Sequence, residues 1–316
     1  MQNTTDPESA NFSSPLNTGL AVKAFLSMTP CFLFLYVNIV MLVTLRSKEL
    51  FCETPRYMLF GQLLLSDSLQ LSSSIMSYLL ALARLYLASS GCALYYLVQR
   101  VINAISPLFL ALMSLERYVA VCFPLRHAEI ANRRRTTAAI IAVWLLGVLI
   151  WSVELTASMM FEILSPNKQM FCLDYGHVQM EISFSISQTF TGIIFTSVSL
   201  VTVYTYVAIL VTARSATSDR TSASKAHRTI LLHMVQLALC LASTLFGVLR
   251  RALATSRLRP AVVYQVQYVL FVGVIIFPRC LSPFIYGLRD KTFCAVFKYV
   301  VFFCMKRKVE PQTCVI

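Results

Sequence analysis

Seven apolar runs, each long enough to cross a lipid bilayer, constrain the fold of this chain more than any other feature. A transmembrane helix needs about 20 predominantly apolar residues. The runs occupy residues 21–45, 57–83, 92–122, 136–161, 182–213, 229–249 and 261–288. The sequence therefore predicts an all-α membrane protein, a seven-transmembrane-helix bundle over residues 21–289 with a polar head at 1–20 and a tail at 290–316.

Composition and motif spacing exclude most other classes of protein. Hydrophobic residues make up 57% of the chain and charged residues 13%, whereas a globular chain has roughly 45–50% and about 25%. A soluble enzyme, a secreted disulfide scaffold and a disordered protein are thereby excluded. The glycines are too far apart for a phosphate-binding loop, and the cysteines too far apart for a Cys-x-x-Cys pair. We expect neither an enzyme, a cofactor nor a metal site.

The distribution of basic residues predicts that the N-terminus is extracellular. With this orientation most of the 27 lysines and arginines lie in the cytoplasmic loops and tail, where short loops retain them. Asn3 and Asn11 then begin N-glycosylation sequons on the outer side. The net charge of +13 fits contact with anionic lipid rather than with nucleic acid. Against the rule, one outer loop is basic, with Arg250, Arg251, Arg257 and Arg259.

Three motifs carry a resemblance to a known family. Glu116-Arg117-Tyr118 ends the third run and resembles the Asp/Glu-Arg-Tyr motif of rhodopsin-like (class A) G protein-coupled receptors. MSLERYVAVCFPLRH around it, LLLSDSLQL around Asp67 and IYGLRDKTF after the last run resemble odorant (olfactory) receptors, most closely those of fishes. Ser282, Pro283 and Tyr286 are similar to the Asn-Pro-x-x-Tyr motif, with serine in place of asparagine.

The resemblance implies a receptor in the plasma membrane of olfactory cilia. It implies a small odorant as ligand and a stimulatory, olfactory-type heterotrimeric G protein as partner. It also implies a disulfide between Cys92 and Cys172, and a switch in which Glu116 holds Arg117 until activation. The remaining switch residues would be Tyr118, Tyr206, Ser282, Pro283 and Tyr286. The alternatives are a rhodopsin-like receptor for another small molecule or for a peptide. An amine ligand is disfavoured because Gln99 replaces the usual aspartate, and a transporter because internal repeats are absent.

A central polar site is predicted from Arg279 in the seventh run. A guanidinium is costly in hydrocarbon unless it is paired, and Asp67 is the acid in the middle of a run. We expect an ion pair between them in the space where many members of the family hold sodium. Asn38, Ser106 and Ser282 are expected to satisfy the remaining polar groups of the pair.

Arg100 is the leading candidate for ligand binding. It lies two turns, about 12 Å, inward from Cys92, and together with the basic outer loop it favours an anionic ligand. The alternatives are an arginine that snorkels to the outer edge or one that pairs with Glu154 or Glu181. The further candidates for ligand binding are Gln99, Asn103, Glu181 and Tyr264.

The tail is predicted to begin with an amphipathic helix that lies on the inner leaflet. Apolar residues recur at helical spacing between residues 290 and 308, with basic residues among them. Cys304 near its end is a candidate for palmitoylation, the alternative being a buried thiol.

Overall fold

The computed structural model describes residues 15–83, 86–164, 169–171, 181–216, 234–235, 238–243 and 245–283. Helices dominate these residues. They are α1 (Pro15–Arg46), α2 (Glu49–Glu53), α3 (Pro55–Leu82), α4 (Ser89–Cys122), α5 (His127–Ile130), α6 (Arg133–Leu164), α7 (Glu181–Ala216), α8 (Phe246–Ala254), α9 (Pro260–Leu270) and α10 (Phe277–Ser282).

Four apolar stretches within the described helices can cross a bilayer, against the seven runs that the sequence predicts. They are Phe25–Arg46, Leu94–Cys122, Gln188–Thr212 and Ala261–Ser282, with mean hydropathies from 1.5 to 2.0. The helices α3 and α6 cover the second and fourth predicted runs and are also long, with 28 and 32 residues. The helix α3 is more polar because it carries Asp67 and a series of serines, whereas α6 begins with three arginines and continues as an uncharged, apolar stretch from Thr136 to Val153.

Several predictions fall on residues outside the described part of the chain. The sixth predicted run, 229–249, is described only in part, and the amphipathic helix of the tail lies wholly outside. The same holds for Asn3, Asn11, Cys172, Tyr286 and Cys304. The seven-helix bundle is therefore taken up again below as a proposal.

One short pair of strands accompanies the helices of the described residues. Two strands of three residues each, β1 (Tyr86–Ala88) and β2 (Gln169–Phe171), form an antiparallel pair in which Tyr86 is opposite Phe171. Strands this short have little pattern for sequence reasoning to detect, since alternation needs at least four residues. The pair joins the segment before α4 to the segment after α6.

The basic outer loop begins later in the chain than the sequence predicts. The sequence predicts Arg250 and Arg251 in a loop after the sixth run, but both lie within α8, which continues to Ala254. Arginine is a good helix former, so a helix extends beyond its apolar part without difficulty. Arg257 and Arg259 do lie in the connection between α8 and α9, and both are exposed.

The helix α4 lies at the centre of the described packing. It contacts α3, α6 and α7, while α1 packs against α3. Phe109 of α4 is fully buried, as are Leu63 of α3 and Met41 of α1. Trp144 of α6 packs beside Phe109 and donates a hydrogen bond from Nε1 to Gln62 Oε1 of α3, at 3.0 Å. The aromatic side chain thus joins three helices.

Large apolar side chains cover the outward faces of the long helices. Phe25 of α1 is 70% exposed, Leu200 of α7 67% and Val269 of α9 65%. Contiguous apolar surface of this extent is rare on soluble monomers. The exposed faces therefore suit a lipid environment.

A π-helical segment, Phe271–Ile276, joins α9 to α10. Within it the N–H of Phe277 bonds to the carbonyl of Val272, five residues earlier. Pro278, which has no N–H, follows directly in the first turn of α10. A proline ring clashes with the carbonyl four residues before it, and a wider turn at this point fits the known association of π-bulges with helix irregularities.

Gly147 marks the closest approach of α6 to α4. A Cβ at this position would lie 3.0 Å from Ile105 Cδ1 and 3.2 Å from Val101 Cγ1. Both distances are shorter than ordinary van der Waals contact, so a side chain would push the two helices apart.

The substitution Gly147→Val is therefore expected to lower the thermal stability of the purified protein. Overpacking a core position typically costs about 1–3 kcal/mol. The matched control is Gly192→Val on α7, where a Cβ would meet nothing within 4 Å. Thermal unfolding measurements that show equal losses in the two variants would contradict a packing role for Gly147.

Candidate functional site

Two buried charges meet between α10 and α3. Arg279 Nε lies 3.4 Å from Asp67 Oδ1, and both side chains are completely buried. Neither Asp67 oxygen has a partner with hydrogen-bond geometry among the described residues. The contact is therefore an ion pair that acts through charge rather than through an aligned hydrogen bond. The structure brings together the two residues that the sequence pairs.

The other donors of Arg279 bind groups that the sequence analysis does not assign to the central site. Nη2 donates to Asn103 Oδ1 of α4 at 3.1 Å, and Nη1 donates to Cys240 Sγ at 3.0 Å. Asn103 in turn contacts Ser243, donating to its carbonyl at 3.4 Å and accepting from its hydroxyl at 3.3 Å. Asn103 and Ser106 are three residues apart on α4, and this spacing was the available signal that both belong to one polar face.

The three residues expected to complete the central site differ in their positions. Ser106 and Ser282 lie close enough to the Asp67 carboxylate to interact with it. Ser106 Oγ also lies 3.0 Å from Ser66 Oγ, and Ser282 donates to the Pro278 carbonyl at 3.4 Å. Asn38 is fully buried, but neither its Oδ1 nor its Nδ2 has a hydrogen-bond partner in the described part of the chain.

The expectation for Asn38 is therefore wrong in its contacts. The guanidinium of Arg279 donates instead to acceptors on α4 and on residues 238–243. A buried amide without protein partners commonly binds ordered water.

The candidate ligand-binding residues whose contacts the structure describes bind different partners. Gln99 Nε2 donates to Tyr95 Oη at 2.7 Å and to Ser77 Oγ at 3.1 Å, so its amide joins α4 to α3. Asn103 belongs to the network of Arg279. Arg100 is partly buried, and the side chain of Glu181, at the start of α7, lies outside the description.

Tyr264, the remaining ligand-binding candidate, is 69% exposed. It lies in the opening turns of α9, where Ala261, Val262 and Gln265 are exposed as well. One turn later Tyr268 is partly buried, and its hydroxyl accepts from Ser27 Oγ of α1 at 3.2 Å. The tyrosine of α9 that contacts another helix is thus Tyr268.

A second charged group lies at the end of α4. Glu116 Oε2 is 3.1 Å from Arg117 Nε, and Glu116 Oε1 is 3.4 Å from His127 Nε2 of α5. The Glu116 side chain is only 9% exposed, while that of Arg117 is 40% exposed. The pair of Glu116 and Arg117 is the one that the family motif implies. The contribution of His127 was not anticipated, because it depends on how α5 folds back on α4.

Tyr118 connects this end of α4 to α7. Its hydroxyl lies 3.4 Å from that of Tyr204, and their ring centroids are 5.7 Å apart. One turn further along, Cys122 Sγ lies 3.3 Å from Thr212 Oγ1. Tyr206, the tyrosine of α7 that the sequence predicts as a switch residue, is partly buried. The contact with Tyr118 is made by Tyr204, which the sequence analysis did not single out.

Two described cysteines, Cys92 and Cys52, are disulfide-bonded. Cys92 is fully buried near the start of α4, as the resemblance implies for a disulfide cysteine. The bonded state of Cys52 on α2 was not expected, since the sequence analysis places it on the reducing side. Among the residues that the structure describes, no group of three or more His, Cys, Asp or Glu side chains could hold a metal ion.

Comparison with known proteins identifies relatives along most of the chain. Residues 37–286 match the model of the family described as 7 transmembrane receptor (rhodopsin family). Odorant receptor 131-2 of Danio rerio is 30% identical over 289 residues, which cover 89% of this chain and 87% of the relative. Human olfactory receptor 4K15 is 25% identical over 87% of this chain and 85% of its own, and olfactory receptor 4K17 is 25% identical over 76% of each.

The buried ion pair leads to a prediction for a double-mutant cycle. Asp67→Asn and Arg279→Gln are each expected to reduce stability by roughly 3–5 kcal/mol, because each leaves the other charge buried and unpaired. The double variant should recover part of this loss of stability, which is measured by thermal unfolding and surface expression. Separately, sodium should not affect signalling.

The exposed pair of Arg133 and Glu53, whose Nη1 and Oε1 are 3.0 Å apart, is the matched control. Breaking it with Glu53→Gln should cost at most about 1 kcal/mol. Additive losses for Asp67→Asn and Arg279→Gln would be incompatible with a direct coupling of the two charges.

Proposed function

The chain belongs to the rhodopsin family of seven-transmembrane receptors and, within it, to the odorant receptors, and we propose that it binds small extracellular odorants and activates a heterotrimeric G protein. It is a multi-pass membrane receptor and not an enzyme. The G protein is proposed to be of the stimulatory, olfactory type, and the membrane that of olfactory cilia. The relatives are named odorant or olfactory receptors, which favours an odorant over a peptide as ligand.

The main support for this proposal is the closed pair of Glu116 and Arg117, in which the two side chains are in ion-pair contact. Its Nε–Oε2 distance is 3.1 Å, at the end of the helix that packs against α3, α6 and α7. Arg117 is 40% exposed, so it can be reached by a partner once Glu116 releases it. In the proposed mechanism, ligand binding favours a packing in which the pair opens and the G protein enters between the helices. The ligand achieves this only through its higher affinity for the active packing.

The proposed architecture is a seven-helix bundle with its N-terminus outside the cell. Residues 21–289 would form the bundle, glycosylated Asn3 and Asn11 would precede it, and an amphipathic helix with Cys304 as a palmitoylation site would follow it. The match of the family model from residue 37 to residue 286 supports this bundle. The basic loops would then face the G protein and the anionic inner leaflet.

The pairing of β1 with β2 supports a disulfide between Cys92 and Cys172. Tyr86 is opposite Phe171, so the backbone just before Cys172 passes close to the segment that leads into α4. Cys92 is disulfide-bonded and lies at the start of that helix. We place the bond on the oxidising, extracellular side.

An anionic odorant is the proposed ligand class. Arg100 is partly buried about two turns after Cys92 on α4, and Arg257 and Arg259 are exposed on the connection between α8 and α9. A cleft lined with charge of one sign raises the local concentration of ligands of the opposite sign. The basic connection would attract a carboxylate, and Arg100 would bind it.

Coupling through Arg117 can be tested with a cAMP reporter in transfected cells exposed to a panel of water-soluble odorants. The Arg117→Ala variant should lose most of the agonist response while surface expression stays normal. Arg126→Ala is the matched control, because the Arg126 side chain is 68% exposed and its ion-pair partner among the described residues is the exposed Glu129. A full response from Arg117→Ala, or no response from well-expressed wild type, would refute the proposed coupling.

The ligand class can be tested with Arg100→Gln. Removing one charged hydrogen-bonding group should weaken an acidic agonist roughly tenfold or more, since such a contact contributes about 1.5–3 kcal/mol. A neutral agonist of similar size serves as the control and should keep its potency. Unchanged potency of the acidic agonist at normal surface expression would exclude Arg100 as its binding group.

A further inference from the structure

We propose that Arg279 and Asn103 form a latch that holds residues 238–243 against α4 in the resting receptor. This inference rests on the proposed function for its signalling consequence. The latch consists of Arg279, Asn103, Cys240 and Ser243. Its observed basis is a completely buried guanidinium whose contacts join α3, α4, α10 and residues 238–243.

Two residues of the segment 238–243 interact with the latch. Cys240 Sγ accepts from Arg279 Nη1 at 3.0 Å, and Ser243 exchanges two hydrogen bonds with Asn103, at 3.3 and 3.4 Å. Cys240 and Ser243 are both fully buried and lie three residues apart. The single Ser243 hydroxyl proton is shared between Asn103 Oδ1 and the Cys240 carbonyl, which lies 2.6 Å from Ser243 Oγ, so the two residues form one polar face.

A movement of residues 238–243 would break some contacts of the latch and leave others in place. If this segment moved away from α4, Arg279 would lose Cys240 and Asn103 would lose Ser243. Arg279 would keep Asp67 and Asn103, which lie on α3 and α4. Opening would therefore leave polar groups unpaired in a dry interior, which is unfavourable. The latch opposes the movement of one segment and leaves the ion pair with Asp67 intact.

Whether weakening the latch raises or lowers signalling depends on whether the structure has the resting or the active packing. The Glu116–Arg117 pair is closed, and in the proposed mechanism a closed pair belongs to the resting packing. The latch is closed in the same structure, so it stabilises that packing. Weakening it should raise signalling in the absence of ligand, because the population shifts toward the active packing.

The first experiment measures ligand-independent cAMP at matched surface expression. Asn103→Leu removes the oxygen that accepts hydrogen bonds from Arg279 and Ser243, and Cys240→Ala removes the sulfur that accepts one from Arg279. Each should raise basal signalling several-fold. The upper limit is about tenfold, the population shift expected from the loss of one charged hydrogen bond. Asn103→Asp and Cys240→Ser retain an acceptor and should restore a low basal level. The matched control is Cys31→Ala, since Cys31 is an equally buried thiol in the apolar contact of α1 with α3.

A second measurement needs no G protein and separates failure of the latch from failure of the proposed function. Purified receptor is treated with a small methanethiosulfonate reagent, and modification of Cys240 is quantified by peptide mass spectrometry. Asn103→Leu should increase the modification rate of Cys240 several-fold and leave that of Cys31 unchanged. Asn103→Asp should behave as wild type.

The outcomes of the two experiments are distinct. A faster modification of Cys240 in Asn103→Leu without any cAMP response from wild type would support the latch and count against the proposed coupling. Unchanged modification of Cys240 would overturn the latch. So would basal signalling that rises in neither Asn103→Leu nor Cys240→Ala when the wild type does give a cAMP response to agonist.

Discussion

The burial of the Arg279 guanidinium is the constraint on which the interior of this receptor depends. A charged group with no exposed surface is stable only if neighbouring groups compensate for its lost hydration. Asp67 supplies the opposite charge, while Asn103 and Cys240 supply acceptors. These partners come from separate helical segments, so satisfying one side chain fixes the relative positions of those segments. A core of aliphatic side chains alone would tolerate many rotations of the helices, whereas this guanidinium selects one.

The helix α4 contributes to both the buried network of Arg279, through Asn103, and the pair of Glu116 and Arg117. Asn103 and Glu116 are 13 residues apart on α4, a separation of about 20 Å along the helix axis. This helix packs on α3, α6 and α7. In the proposed function its buried residue Asn103 helps to restrain residues 238–243, and the pair of Glu116 and Arg117 presents a cation to the G protein. One helix would then carry both the restraint and the group that it controls.

Sequence reasoning located the long helices and the partnership of Asp67 with Arg279, because a charge in an apolar run has few ways to be satisfied. It did not foresee Cys240, Ser243, Tyr204 or His127. In a soluble helix the apolar stripe shows which face is buried, but lipid and protein interior are equally apolar. The rotation of a membrane helix about its axis is thus weakly encoded in its pattern. Tyr264 illustrates this, since its exposure depends on rotation and on how far α9 extends beyond its neighbours.

The π-helical segment before α10 fixes the rotation of the following residues about the helix axis through the number of residues that it contains. Each residue of an α-helix turns the chain by about 100°, so the extra residue in a wide turn rotates everything after it relative to everything before. Phe271–Ile276 and the bond from Phe277 to Val272 set that rotation immediately upstream of Arg279. A chain with one apolar residue fewer in this segment would keep nearly the same composition and hydropathy, and every motif on either side. Its guanidinium, however, would point about a quarter-turn away from Asp67, and the receptor would lose its internal charge partner through a change of length alone.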